Sequence, residues 1–186
     1  MRIALIHAVR VAMQPVEDAF RRHWPEAERI NLLDDSLSVD RARDAELSAA
    51  LSRRIGALAD YAIECGATGI LYTCSAFGDA IQAVKDRLDV PVLKPNEAMF
   101  EEALRHGKRL GMLATFAASI PSMQAELPGV ALETLCVPEA MAALQAGDGG
   151  RHDALLAAAV TRPVLTSPDS AVLAMRKRLT RGCTLG

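Results

Sequence analysis

Cys74 is the residue whose type and position most favour chemistry. It follows the apolar run Thr68 to Thr73, which predicts a strand, and it precedes a predicted helix that extends to about Leu88. A free thiol has a pKa of about 8.5, and the unpaired N–H groups of a helix N-terminus lower that value. Ser75 adds a hydroxyl and an N–H group suited to a carboxylate or a developing enolate. We expect Cys74 to be a reactive thiol, and the alternative is a small buried residue at a tight turn.

Other polar side chains near predicted strand ends have weaker signals. His7 ends the first predicted strand, so it is a candidate acid/base or carboxylate ligand, or else a hydrogen-bonded residue that shapes the loop. Arg10 is either a carboxylate partner or a solvated arginine. We expect Asp34 and Asp35 to lie in a solvated loop, although they could bind an amine or a cation.

The remaining histidines and one glycine-rich segment predict no chemistry. His106 stands before Gly107, where a cation caps a helix C-terminus. We expect His23 and His152 at the surface. The segment 147–150 has the wrong spacing for a phosphate-binding loop and is interpreted as a linker.

Alternating strands and helices must position these residues. Apolar runs predict strands at residues 2–7, 27–32, 68–73 and 90–93, and helices are predicted between them, including a long one from Asp44 to Cys65. Asn96 should cap the helix that ends near His106. This alternation is typical of a parallel sheet with helices on its faces, in which ligands bind at the carboxyl ends of the strands.

The pattern then restarts, which indicates an internal duplication. The strand that begins at Arg109 resembles the one that begins at Arg2, and the segment 162–171 resembles 90–98. We therefore predict an α/β protein of two pseudo-symmetric parallel-sheet lobes with flanking helices and a shared cleft. The first lobe comprises residues 1–95 and 168–186, and the second comprises residues 96–167. The second copy is shortened, because it has no counterpart of the segment 66–75.

Composition excludes several classes of protein. The net charge is −2, the pI is near 6.1 and aromatic residues make up 4%, which argues against a nucleic-acid partner. The N-terminal segment has no signal-peptide layout and no apolar run is long enough to cross a membrane, so we expect a cytoplasmic protein without a membrane partner. The four cysteines have no C-x-x-C spacing, so we expect no metal site and no disulfide framework. The apolar face at 140–144 permits a homo-oligomer.

Three segments in order resemble the aspartate/glutamate/hydantoin racemase superfamily, which includes relatives of arylmalonate decarboxylase and maleate isomerase. They are the strand-Thr-Cys-Ser turn at 73–75, Val-Pro-Val-Leu-Lys-Pro-Asn-Glu-Ala at 90–98, and Lys-Arg-Leu-Gly-Met-Leu-Ala-Thr-Phe-Ala-Ala-Ser at 108–119. The resemblance covers most of the chain. It implies proton transfer at a carbon next to a carboxylate, with a small-molecule carboxylate substrate and no organic cofactor or metal.

The resemblance also implies roles for particular residues. In such racemases two cysteines flank the substrate, and Cys74 matches the one that removes the α-proton. Ser75, Thr115 and Ser119 match positions that hold the carboxylate. Asn96 and Thr166 lie at corresponding turns of the two halves, and with His7 they complete the set expected to line the cleft.

The second cysteine of the family belongs on the strand that the second half lacks. Cys136 ends a predicted strand in a different repeat position, Cys65 closes the long helix, and Cys183 lies in the C-terminal tail. Three explanations stay open: a segment missing from this sequence, a truly shortened copy, or a non-cysteine partner for Cys74. The sequence accordingly predicts an amino-acid or hydantoin-type racemase, with a malonate decarboxylase and a non-catalytic carboxylate-binding protein as alternatives.

Overall fold

The computed structural model describes residues 1–44, 46–106, 109–160 and 165–181, without the side chains of His106, Arg109 and Arg181. The strands of this part of the chain are β1 (Arg2–His7), β2 (Glu28–Leu33), β3 (Gly69–Tyr72), β4 (Val92–Leu93), β5 (Arg109–Ala114) and β6 (Ala131–Cys136). The helices are α1 (Met13–His23), α2 (Ser36–Arg43), α3 (Ala49–Glu64), α4 (Gly78–Arg87), α5 (Glu97–His106), α6 (Ile120–Ala125), α7 (Pro138–Gln145), α8 (Gly149–Ala158) and α9 (Ser167–Arg181). Short 3-10 turns lie at Arg10–Ala12, Ser75–Phe77 and Ala117–Ser119.

The first lobe is built on a parallel sheet with the strand order β2-β1-β3-β4. Both faces of β1 are buried because its side chains alternate between two apolar layers. Ala4 and Ile6 pack in the layer that α3 and α4 cover. Ile3 and Leu5 pack in the layer that α1 and α9 cover. Burial of each large apolar side chain contributes about 1.5–3 kcal/mol, so the two layers fix the strand ends that carry the polar residues.

The second lobe contains a smaller parallel sheet, in which β5 pairs with β6. Met112 of β5 packs with Phe100 of α5, Met123 of α6 and Leu127 on one face of this sheet. The other face is more open, and the side chain of Leu135 is 50% exposed. In the described residues β1 pairs with a strand on each side, whereas β5 pairs with one strand only. Residues 159–166 alone separate α8 from α9, so the second lobe is the shorter of the two. The prediction of an α/β fold with two parallel-sheet lobes, the second shortened, is confirmed.

The packing of α5 and α9 indicates how the chain is divided between the lobes. Met175 of α9 packs in the first-lobe core, and a Cβ built on Gly69 of β3 would lie 3.0 Å from its sulfur. Phe100 of α5 packs in the second-lobe core. These contacts agree with the division at residues 96 and 168, which stays a prediction.

Several predicted local structures need correction. Ser36 begins α2 rather than continuing a loop, and the carboxylate of Asp34 binds the guanidinium of Arg54 at 2.6 Å instead of being solvated. The long helix begins at Ala49 rather than Asp44, because the hydroxyl of Ser48 caps it. The segment interpreted as a linker contains the start of α8 at Gly149. Residues 161–164, within the predicted second copy of β4, lie outside the described residues.

Candidate functional site

A cavity of about 520 Å³ lies between the two lobes, where β3 and β5 end. The first lobe contributes Cys74 and Ser75, which follow β3, and Asn96, which precedes α5. The second lobe contributes Thr115, directly after β5, and Ser119 from the turn before α6. Five residues predicted to act on the substrate therefore line one cavity, although they are far apart in sequence.

Cys74 is partly buried and stands immediately before the turn Ser75–Phe77. Burial raises the pKa of its thiol, while the backbone N–H of Ala76 and the charge of Arg41 act in the opposite direction. The sequence-based expectation of a lowered pKa is therefore wrong. The physical reason is that α4 begins only at Gly78, after the turn, so the helix N-terminus that was expected to stabilise the thiolate is displaced from the sulfur.

Arg41 of α2 holds this turn from behind the cavity. Its side chain is buried, with its Nε donating to the carbonyl oxygen of Ala76 at 3.2 Å and its Nη1 donating to the carbonyl oxygen of Asp44 at 2.7 Å. Among the described carboxylates none forms an ion pair with it. The charge of this buried guanidinium favours the thiolate of Cys74, although burial has the larger effect on the pKa of that thiol.

The hydroxyl of Ser75 is oriented by Asn96. The side-chain amide of Asn96, which is buried, donates to Ser75 Oγ at 2.7 Å. The backbone carbonyl oxygen of Asn96 accepts from the N–H of Phe100 at 2.9 Å at the start of α5. Because Ser75 Oγ accepts from Asn96, its proton is available to a ligand. Asn96 thus orients the Ser75 hydroxyl and also lies directly before the first residue of α5.

The second-lobe hydroxyls differ in their availability. Ser119 Oγ donates to the carbonyl oxygen of Phe116 at 2.7 Å, so it faces the cavity mainly as an acceptor. Thr115 has no side-chain hydrogen bond to any described residue, so its hydroxyl can donate to a ligand. Ser75 and Thr115, on opposite lobes, are the donors best placed for an oxyanion.

His7 and Thr166 are not among the residues that line the cavity. His7 is fully buried, and its Nδ1 and Nε2 lie 2.9 Å from Thr73 Oγ1 and from Asn31 Oδ1. Burial lowers the pKa of His7. Since Asn31 donates to Glu17 at 2.9 Å, its oxygen faces His7, which assigns the proton to Nε2 and leaves Nδ1 as an acceptor. The Thr73 hydroxyl lies 2.9 Å from this nitrogen and 3.3 Å from the Ile6 carbonyl oxygen, and its single proton can be donated to one of them at a time.

Thr166 directly precedes α9, its hydroxyl donates to the carboxylate of Asp169 at 2.7 Å, and its side chain is exposed. Arg10 is paired with Asp35 at 3.0 Å on the surface. The roles predicted for His7 and Thr166 at the substrate stay predictions. In the structure His7 lies behind the turn that carries Cys74, through its contact with Thr73. Thr166 lies directly before α9.

His152 is the cavity residue that the sequence interpretation missed. It was expected at the surface, but it lines the cavity from α8 and its side chain is 19% exposed. The available signal was helical spacing, because Leu155 and Leu156 lie three and four residues further on the same face and are also partly buried. Cys65 and Cys136 are partly buried and do not line the cavity, and Cys183 is outside the described residues.

The described lining of the cavity consists of apolar and polar side chains and includes Tyr72, Cys74 and His152. Among the described residues that line it, none is Asp, Glu, Lys or Arg. In the described part of the chain no three His, Cys, Asp or Glu residues form a group that could hold a metal ion. No helix of that part has the length and apolar character required to cross a bilayer.

Comparisons with known proteins agree with this architecture. A family model described as Asp/Glu/Hydantoin racemase matches residues 8–174. No curated protein sequence matches the chain.

Among solved structures, the chain is similar to glutamate racemase from Thermus thermophilus in complex with β-chloro-D-alanine, with a TM-score of 0.74 and 17% identity over 100% of this chain and 82% of that one. It is also similar to allantoin racemase from Klebsiella pneumoniae, with a TM-score of 0.61 and 15% identity over 98% of this chain and 89% of that one. For glutamate racemase from Aquifex pyrophilus the TM-score is 0.59 and the identity is 21% over 73% of this chain, which spans only 55% of that enzyme. At these identities the similarity shows the fold.

Proposed function

Because this chain belongs to the Asp/Glu/hydantoin racemase family, we propose that it is a cofactor-independent racemase of amino acids or hydantoin-type compounds. The observation that carries the proposal is the position of Cys74 in the cavity between the lobes, beside the hydroxyls of Ser75 and Thr115. A thiol in this position can move a proton at a carbon next to a carbonyl or carboxylate group, while the two hydroxyls stabilise the charge that develops on oxygen.

In the proposed reaction Cys74 acts as the base. Its thiolate removes the proton from the carbon next to a carboxylate or carbonyl group, and the electron pair of the C–H bond moves into that group to form an enolate. Ser75 and Thr115 donate hydrogen bonds to the oxygen on which the charge develops. Ser119 becomes a third donor when its hydroxyl rotates away from the Phe116 carbonyl oxygen. Such donors act strongly where water is excluded.

The neutral lining favours a substrate whose α-nitrogen carries no charge. A free amino acid presents an ammonium group, and burying it without a carboxylate partner is costly. None of the described cavity residues is a carboxylate, and the walls contributed by Val9, Val39, Phe116 and Met141 are apolar. A hydantoin-type ring, with amide nitrogens, fits this environment better than aspartate or glutamate.

The test is incorporation of deuterium at the α-carbon in D2O, followed by NMR. The panel comprises both enantiomers of aspartate, glutamate, allantoin and 5-substituted hydantoins. Wild-type protein should exchange at least one hydantoin-type compound, and Cys74→Ala should lose about 10²-fold or more of that rate for at least one of its two enantiomers. Cys136→Ala is the matched control, since that thiol is also partly buried but lies outside the cavity lining. Absence of exchange throughout the panel, or equal rates for wild type and Cys74→Ala with both enantiomers, would refute the proposal.

A decarboxylase of disubstituted malonates is the second candidate, and a specific observation favours it. Burial raises the pKa of Cys74, which keeps the thiol protonated more readily at neutral pH. A protonated thiol is suited to deliver a proton to the enediolate left when carbon dioxide departs, and one such group suffices. Release of carbon dioxide from 2-methyl-2-phenylmalonate, lost in Cys74→Ala, would distinguish this reaction from racemisation.

A further inference from the structure

Racemisation needs a second acid/base group, because the new proton must reach the face of the carbon opposite the one that lost its proton. The described cavity lining contains no second cysteine. Tyr72 is not suitable, since its hydroxyl donates to the Ile55 carbonyl oxygen at 3.0 Å and burial raises its pKa far above the usual value. His152 is the other lining residue whose side-chain type commonly serves as an acid or base in enzymes.

The contacts of His152 leave one ring nitrogen free for proton transfer. Nδ1 lies 2.8 Å from Oδ1 of Asp153. A carboxylate only accepts hydrogen bonds, so Nδ1 carries the proton and Nε2 is the atom that gains or loses one. The contact with Asp153 also holds the ring in one orientation, as an acid/base histidine requires.

His152 and Cys74 approach the cavity from different lobes. Cys74 follows β3 of the first lobe, whereas His152 lies on α8, and α7 contributes Leu144 and Gln145 to the same wall of the cavity. A carbon held between the lobes by Ser75 and Thr115 would therefore have the thiol and the imidazole in different walls around it.

We propose that His152 is the second catalytic acid/base of this racemase, in the place that a second cysteine takes in the family. The inference rests on the proposed function. In one direction the Cys74 thiolate removes the α-proton, the electron pair enters the enolate, and imidazolium His152 delivers its Nε2 proton to the opposite face. The products are the other enantiomer, a Cys74 thiol and a neutral His152. In the reverse direction His152 removes the proton and the Cys74 thiol donates one.

The experiment uses both enantiomers of the panel compound that wild-type protein racemises. His152→Gln should slow racemisation by about 10²-fold or more and should still exchange the α-proton of the enantiomer that Cys74 deprotonates. Cys74→Ser should show the opposite preference. His23→Gln is the control, because His23 binds Asp169 at 2.9 Å outside the cavity lining and should racemise like wild type.

A second variant separates loss of the base from loss of structure. His152→Ala should be inactive and should regain racemisation when imidazole is added, which a merely structural histidine would not show. Racemisation by His152→Gln within threefold of wild type, equal loss of exchange for both enantiomers, or no rescue by imidazole would overturn the inference while leaving the proposed function standing. A wild-type protein that racemises no compound in the panel would refute the proposed function and, with it, this inference.

Discussion

Gly78 makes a close contact between the two lobes behind the cysteine turn, and its replacement tests how they are held together. Its N–H donates to Ser122 Oγ of α6 at 3.2 Å. A Cβ built on Gly78 would lie 2.4 Å from Ser122 Oγ and 3.7 Å from Ser122 Cβ. The first distance is impossible and the second is an ordinary contact. In Gly78→Ala either Ser122 rotates and the hydrogen bond is lost, or α4 and α6 separate.

Both routes cost free energy of unfolding. Loss of the hydrogen bond or overpacking costs about 1–3 kcal/mol. The backbone of Gly78 has φ −48° and ψ −48°, so alanine fits the helix and offsets about 0.5–1 kcal/mol of that loss. Ser122→Ala removes the clashing oxygen and the hydrogen bond together. In that background Gly78→Ala should be neutral or slightly stabilising, and the coupling between the two sites should be about 2 kcal/mol.

Urea denaturation of wild type, both single variants and the double variant measures this coupling directly. The single variant Gly78→Ala should show a lower midpoint than wild type, whereas the double variant should be no less stable than Ser122→Ala. If Gly78→Ala has the same effect in both backgrounds, the close contact between α4 and α6 does not exist as described.

Three further substitutions test the surroundings of the cysteine. Arg41→Gln keeps donors for the carbonyl oxygens but removes the charge, so alkylation of Cys74 by iodoacetamide at pH 7 should slow about tenfold. Arg41→Lys keeps the charge and should be alkylated at close to the wild-type rate. Equal alkylation rates in all three proteins would contradict the role of the charge. Because burial lowers the pKa of His7 below its ordinary 6.5, the unfolded chain binds a proton more tightly, and the free energy of unfolding should fall as the pH drops below about 6.5. His7→Gln should flatten this pH dependence in urea titrations, and an unchanged slope would count against it. Asn96→Ala leaves Ser75 without its donor and should lower stability by about 1–2 kcal/mol, with little further loss in the double variant with Ser75→Ala if the two residues act through their hydrogen bond.

Much of the fold could be predicted because it depends on local patterns. The continuous apolar run of β1 predicts a strand buried on both faces, and the strand-to-turn position of Cys74 follows from the order of apolar and polar residues. The comparison of the two halves also predicted the shortened second lobe. Element ends were less accurate, as at Ala49, because a single cap residue decides them.

The properties of the site could not be predicted to the same degree, because they arise between residues that are distant in sequence. The sequence placed Cys74 correctly at a strand end, but burial against the rest of the lobe decides the direction in which its pKa is shifted. The bond between Asn96 and Ser75 and the guanidinium of Arg41 behind the turn likewise depend on the packing of separate helices.

The sequence by itself thus determined that a thiol stands at a strand end in a duplicated α/β chain whose second half lacks the matching cysteine. Tertiary structure alone decided which groups face that thiol across the cavity, and it brought His152 there from a helix that looked like surface. The physical reason is that hydrophobic periodicity specifies which face of an element is buried, whereas the position of one element against another is set by the packing of the whole core.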